Sequence, residues 1–301
     1  MKRRQLWLGD WQRGMGYNLA MDLAIACAVG GFKGAFGHGV LAAFEEAGLR
    51  AAAYGGASSS VPIAGCAATG RVQAAGLDYW QQGLAYLQQP GVGMSQMVQA
   101  GIDYLAPFIC EGLFRPDSPR FFVAANAVAE TVAAEVQSLN SRRLGRKLLL
   151  DIRANNREWV DSNLTLHLFS QNDPHFPLTA QNFSQVAYAS SRMLHAWDVP
   201  AWVNGRAYVD AFYTCACPAI PLAEQGYQQI LAIFNEPTPY RDFFMRETIP
   251  TSWKNSQIWL LRPEQDPTVW GVNYTHATPE GLNALYQQGV ESGRAFLSQK
   301  M

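Results

Sequence analysis

The sequence predicts an α/β fold built on a mostly parallel sheet, and three adjacent stretches predict it. Residues 23–29, Leu-Ala-Ile-Ala-Cys-Ala-Val, are continuously apolar and run into Gly30-Gly31. A short apolar run ended by glycines reads as a strand buried on both faces. From Gly34 to Gly48 the pattern changes. Val40, Leu41, Phe44 and Ala47 recur at helical spacing, and Gly48 suits a helix C-cap. Ala51 to Tyr54 then reads as a second strand and Gly55-Gly56-Ala57 as a turn. A new helix starts near Ser58–Ser60 with Pro62 in its first turn, where proline is tolerated. Such alternation implies a βαβ unit with a right-handed crossover.

The remaining elements follow in order. Residues 71–115 read as helical, with a break at Pro90-Gly91. Phe121 to Ala124 reads as a strand. Val128, Val132, Val136 and Leu139 form an amphipathic helical stripe. Arg142, Arg143, Arg146 and Lys147 make a basic patch. Leu148 to Ile152 and Leu164 to Phe169 are strand candidates, and 181–195 reads as a helix. Asn204-Gly205 predicts a hairpin with a type I′ turn, leading into Tyr208-Val209-Asp210. Gln229 to Phe234 and Gln257 to Leu261 are the last strands, and a helix from Pro279 to about Leu297 closes the chain. No linker or repeat interrupts residues 1–301, so a single domain is expected, with about 71–120 a helical segment covering the active site.

Composition narrows the function. The chain has 301 residues, 49% hydrophobic and 16% charged, with a net charge of −1. This is enough to bury a large core, and no basic field points to nucleic acid. The five cysteines form no framework, which favours a reduced, cytoplasmic setting, and Cys215-x-Cys217 lacks zinc spacing. Neither the start of the chain nor 23–29 is long and apolar enough to span a bilayer. Leu6, Trp7, Leu8 and Trp11 lie beside Lys2, Arg3, Arg4 and Arg13. They could dock on an anionic membrane or simply pack as an arm.

Three segments carry chemistry. Gly30-Gly31-Phe32-Lys33-Gly34 lies between a strand and a helix, where open backbone amides make an anion site for a phosphate or an oxyanion. It could equally be a packing turn. Gly56-Ala57-Ser58-Ser59-Ser60 resembles a nucleophile elbow, Gly-x-Ser-x-Gly, with Ser60 in the last glycine position. Alone it reads as readily as a helix N-cap. Asp210 ends an apolar strand, where α/β sheets build sites, although a lone Asp there more often caps a turn. A Ser–His–Asp hydrolase would need a late histidine, such as His276.

Taken as an ordered set, Gly30 to Gly34, Gly56 to Ser60 and Asp210-Ala211 resemble the patatin-like phospholipase family. That family carries a Gly-Gly-Gly-x-Arg/Lys-Gly loop, a Gly-x-Ser-x-Gly elbow and an Asp-Gly-Gly/Ala box. Val29 and Ser60 depart from the first two patterns, and Ala211-Phe212 from the third. The similarity extends over about 23–70 and 180–235 and is weak across 71–180. It implies a three-layer sandwich, with a mostly parallel central sheet and helices on both faces. It further implies a lipid acyl hydrolase with Ser58 as nucleophile, Asp210 as base and the amides of Gly30, Gly31 and Phe32 as oxyanion hole. No cofactor or metal is expected. The expected partner is a phospholipid or other acyl-ester lipid, with peripheral membrane association. Lys33 is read as an exposed position without a catalytic role. A lipid-binding pseudoenzyme, or an acyltransferase sharing the acyl-enzyme, would carry the same residues.

Overall fold

The computed structural model describes residues 22–237 and 249–300. The N-terminal basic and aromatic arm lies outside the described residues. The elements are β1 Leu23–Cys27, α1 Ala35–Glu46, β2 Ala53–Ala57, α2 Ser60–Thr69, α3 Val72–Ala75, α4 Asp78–Leu87 and α5 Met94–Leu113. Then come β3 Arg120–Val128, α6 Glu130–Val136, α7 Ser141–Arg153, α8 Glu158–Asn163, β4 Leu164–Ser170 and α9 Phe183–Ser191. The hairpin β5 Trp202–Val203 and β6 Arg206–Val209, α10 Ala219–Glu224, β7 Gln229–Ile233, β8 Ser252–Trp253, β9 Ser256–Leu261 and α11 Pro279–Lys300 complete the chain.

Among the described residues nine strands form one mixed, mostly parallel sheet. β3, β2, β1, β7 and β9 are parallel neighbours in that order. Burial explains their composition. All five residues of β1 are buried, which an apolar run without alternation requires. Helices cover both faces of the sheet. In β2 a Cβ on Gly55 would point at Leu222 and Pro218 at the start of α10, whereas one on Gly56 would point at Val61 in α2. Adjacent strand residues face opposite sides, so α10 and α2 lie on opposite faces.

The pairing of β3 positions the site. β4 runs antiparallel along one edge of β3, from Phe122 to Val128. β2 pairs with the other edge only as far as Ala124. β6 takes over that edge at Asn126 and Ala127, antiparallel. The C-terminal ends of β2 and β6 therefore meet head to head opposite Ala125. The residues following them are Ser58 and Asp210.

Several expectations change. Gly55-Gly56-Ala57 belong to β2, and the turn falls at Ser58-Ser59; the two glycines serve close helix approach, Gly55 to α10 and Gly56 to α2. Leu148 to Ile152 is helix, not strand. Leu144, Leu148 and Ile152 form one buried stripe along α7, and the basic patch is the outer face of the same helix. The stripe from Val128 to Leu139 is split: Val128 ends β3, α6 ends at Val136, and Leu139 is 94% exposed. Asn204 and Gly205 both have positive φ, 49° and 77°, as a type I′ turn needs. All five cysteines are free thiols. Among the described residues no helix is long and apolar enough to cross a membrane.

Candidate active site

Ser58 occupies a sharp strand-to-helix turn. Its φ is +56°, a left-handed conformation that a serine adopts only under constraint. Three contacts supply the constraint. The Ser58 amide donates to Ser190 Oγ in α9 at 2.8 Å. The Ser58 carbonyl accepts from the Val61 amide at 3.0 Å. Gly56 lets α2 lean onto the strand, since a Cβ there would lie 2.8 Å from the Val61 Cα. Ser60, in the place of the elbow's last glycine, does not open the turn. Its hydroxyl donates to the Ala28 carbonyl at 2.6 Å and ties the start of α2 to the end of β1.

Ser58 Oγ donates to Asp210 Oδ2 at 2.8 Å across 152 residues of sequence. The other carboxylate oxygen, Oδ1, accepts from the Phe212 amide at 2.8 Å. Facing the serine and capping the following turn are thus filled by different oxygens of one carboxylate. The backbone of Asp210 is held as firmly. Its amide donates to the Arg192 carbonyl at 3.0 Å, and its carbonyl accepts from Asn126 Nδ2 at 2.6 Å. Asp210 is 0% exposed and Ser58 7%. Burial pushes the Asp210 carboxyl up to about 7, against the opposing pull of the Phe212 and Ser58 hydrogen bonds.

The glycine loop stands beside this pair. The amides of Gly30 and Gly31 donate to no protein acceptor among the described residues. Phe32 differs from expectation, because its amide donates to the Tyr274 carbonyl at 3.2 Å. Gly31 has φ +53°, and any side chain on it would collide with the same carbonyl. Asn235, just past β7, holds the loop from below. Its Nδ2 donates to the Ala28 and Val29 carbonyls at 2.9 and 3.1 Å, and its Oδ1 accepts from the Gly37 amide at 3.1 Å.

Lys33 is not exposed as expected. It is 4% exposed, pairs with Glu236 at 2.7 Å and lies 5.0 Å from the Tyr274 ring centroid. No histidine hydrogen-bonds Ser58 among the described residues. His276 is exposed in a turn built on Asn273. His38 is locked neutral in the core: Trp80 Nε1–H donates to its Nδ1, so its Nε2–H donates to the Val72 carbonyl, and burial lowers it to about 4.

Ser58, Asp210, Gly30 and Gly31 are thus brought together, and Phe32 lies in the same loop with its amide turned away. Ser190, Asn126, Asn235 and Tyr274 were missed. A buried asparagine beyond a strand end, or a tyrosine contributing its backbone carbonyl, leaves no signature in a single sequence.

No family model and no curated protein matches the sequence. Among solved structures the chain is similar to VipD from Legionella pneumophila, at 11% identity and a TM-score of 0.45. The likeness covers 92% of this chain and 66% of that one, so this chain spans about two thirds of the length of VipD.

Proposed function

We propose that the protein is a serine acyl hydrolase of lipid esters, organised as one patatin-like domain and working with a Ser58–Asp210 dyad. One observation carries this reading: the 2.8 Å hydrogen bond from Ser58 Oγ, held in a left-handed turn, to a buried carboxylate. Ionised Asp210 takes the Ser58 proton as Oγ attacks the ester carbonyl. The Gly30 and Gly31 amides hold the oxyanion of the tetrahedral intermediate, and the N-terminus of α2 adds positive potential. Asp210 then protonates the departing alcohol, and water, activated by the same carboxylate, releases the acid. An ordinary aspartate near pKa 3.9 would be a poor base for this. Burial brings Asp210 to about 7, close to a useful operating range. The apolar and aromatic walls around Ser58 favour an acyl chain, such as that of a phospholipid, met at a lipid surface.

The direct test is hydrolysis of a panel of acyl esters and phospholipids. Wild type is expected to turn over long-chain esters, and Ser58→Ala to lose that activity by at least about 1,000-fold. Equal turnover by the two proteins would overturn the reading.

A further inference from the structure

Ser58 stands at the junction of two cavities. One, of about 410 Å³, lies beneath α4 and α5 and is walled by Pro62, Tyr79, Trp80, Met97 and Ile102. The other, of about 420 Å³, reaches from Asp210 to α7 and is walled by Leu149, Arg153, His195 and Phe212. Gly31, Ser58, Trp197 and Tyr274 border both. Asp210 borders the second cavity but not the first.

That asymmetry gives the two cavities different work, given the hydrolase reading above on which this inference rests. The Ser58 Oγ–carbon bond forms while the bond from that carbon to the alcohol oxygen breaks. The proton passes from Ser58 Oγ to Asp210 and then to the alcohol oxygen. The alcohol must therefore leave beside Asp210, in the second cavity. The acyl chain is left to the first, whose named walls are apolar or aromatic.

The second cavity has a chemistry of its own. Arg153, the last residue of α7, borders it and has no carboxylate partner among the described residues. Asp210 is the one carboxylate on its wall among the described residues, and it faces Ser58. His195 brings a buried Nδ1 with no hydrogen-bond partner among the described residues. On the same helix Arg146, likewise without an ion pair among the described residues, acts electrostatically on His195 and adds positive potential to this wall. We propose that the second cavity is the leaving-group subsite and that Arg153 makes it selective for an alcohol bearing an anionic group such as phosphate. A guanidinium matches a phosphate with two parallel hydrogen bonds, which a neutral glycerol cannot accept in that form.

Binding to the Ser58→Ala protein tests this without turnover. Monomeric lysophosphatidic acid and a monoacylglycerol of the same acyl chain would be titrated by tryptophan fluorescence or calorimetry. The phosphate-bearing lipid is expected to bind roughly tenfold more tightly, as one charge-assisted pair would give. Arg153→Ala should remove that preference while leaving the monoacylglycerol affinity in place, and Arg153→Lys should retain part of it. Inorganic phosphate at the same concentration as the lipid, at matched ionic strength, should leave both affinities unchanged; if it erases the preference, the subsite belongs to free phosphate and the proposal is wrong. Equal affinities in the parent protein, or a preference that survives Arg153→Ala, would also overturn it. Failure of the catalytic reading would show separately, as unchanged ester turnover in the Ser58→Ala protein.

Discussion

Asp210 has to satisfy two demands that conflict in an ordinary carboxylate. As the proposed base it must be basic enough to deprotonate a serine hydroxyl, yet fixed well enough to meet it at 2.8 Å. Complete burial supplies the basicity, and the Phe212 amide with the Asn126 side chain supplies the fixing. kcat/KM for ester hydrolysis should therefore rise with pH around a midpoint near 7, where Asp210 loses its proton. A pH–rate profile with a midpoint near 4 would mean that burial does not tune this group. Gly56 makes a second demand visible. Gly56→Ala places a methyl group against the backbone of Val61, so α2 must shift. A loss of about 1–3 kcal/mol, with a larger loss of activity than of fold, is expected from chemical denaturation and assay of the same sample. Ser58 and Asp210 were legible in the sequence because their residue types and order are distinctive. Ser190 was not, since one buried serine among small residues in a helix carries no mark of its partner.

The elements that frame the site are held by side chains from distant strands. Asn235 pins the glycine loop after β1 with three hydrogen bonds. Asn235→Ala would leave the Val29 carbonyl and Gly37 amide without these partners, whereas Ala28 keeps its bond from Ser60. A cost of about 1–3 kcal/mol in thermal or denaturant unfolding follows from leaving the buried Gly37 amide unpaired. Loosening of the Gly30 and Gly31 amides should also lower kcat more than it raises KM. Ser60→Gly is expected to be milder. It removes one hydrogen bond and adds backbone entropy at the start of α2, about 1–2 kcal/mol in denaturant unfolding, with activity kept within a few-fold. The α7 misreading shows what element-level inference lacks. Leu148-Leu149-Leu150 looked like a strand when seen alone, and only the spacing back to Leu144 reveals the helical stripe.

At the scale of the molecule, the head-to-head meeting of β2 and β6 on one edge of β3 joins the two halves of the site. The parallel order around β1 could be anticipated from the apolar runs and glycine punctuation. The shared edge could not, because the register of β6 against β3 depends on packing across some 80 residues of intervening chain. Placing a buried acid at that junction has a cost in stability with a definite sign. Folded Asp210 keeps its proton up to about 7, whereas the unfolded chain releases it near 3.9. Its contribution is therefore greatest below about pH 4 and declines as pH rises through 7. Asp210→Asn should raise the melting temperature relative to wild type by an amount that grows from pH 5 to pH 8, as calorimetry can measure. The dyad itself is tested most directly by the rate at which a fluorophosphonate modifies Ser58, followed by intact mass against pH in wild type, Ser58→Ala and Asp210→Asn. A Ser58–Asp210 dyad predicts a single modification of wild type whose rate rises around pH 7, none in Ser58→Ala, and a slow, pH-independent rate in Asp210→Asn. Modification of Ser58→Ala, or an Asp210→Asn rate matching wild type, would contradict it.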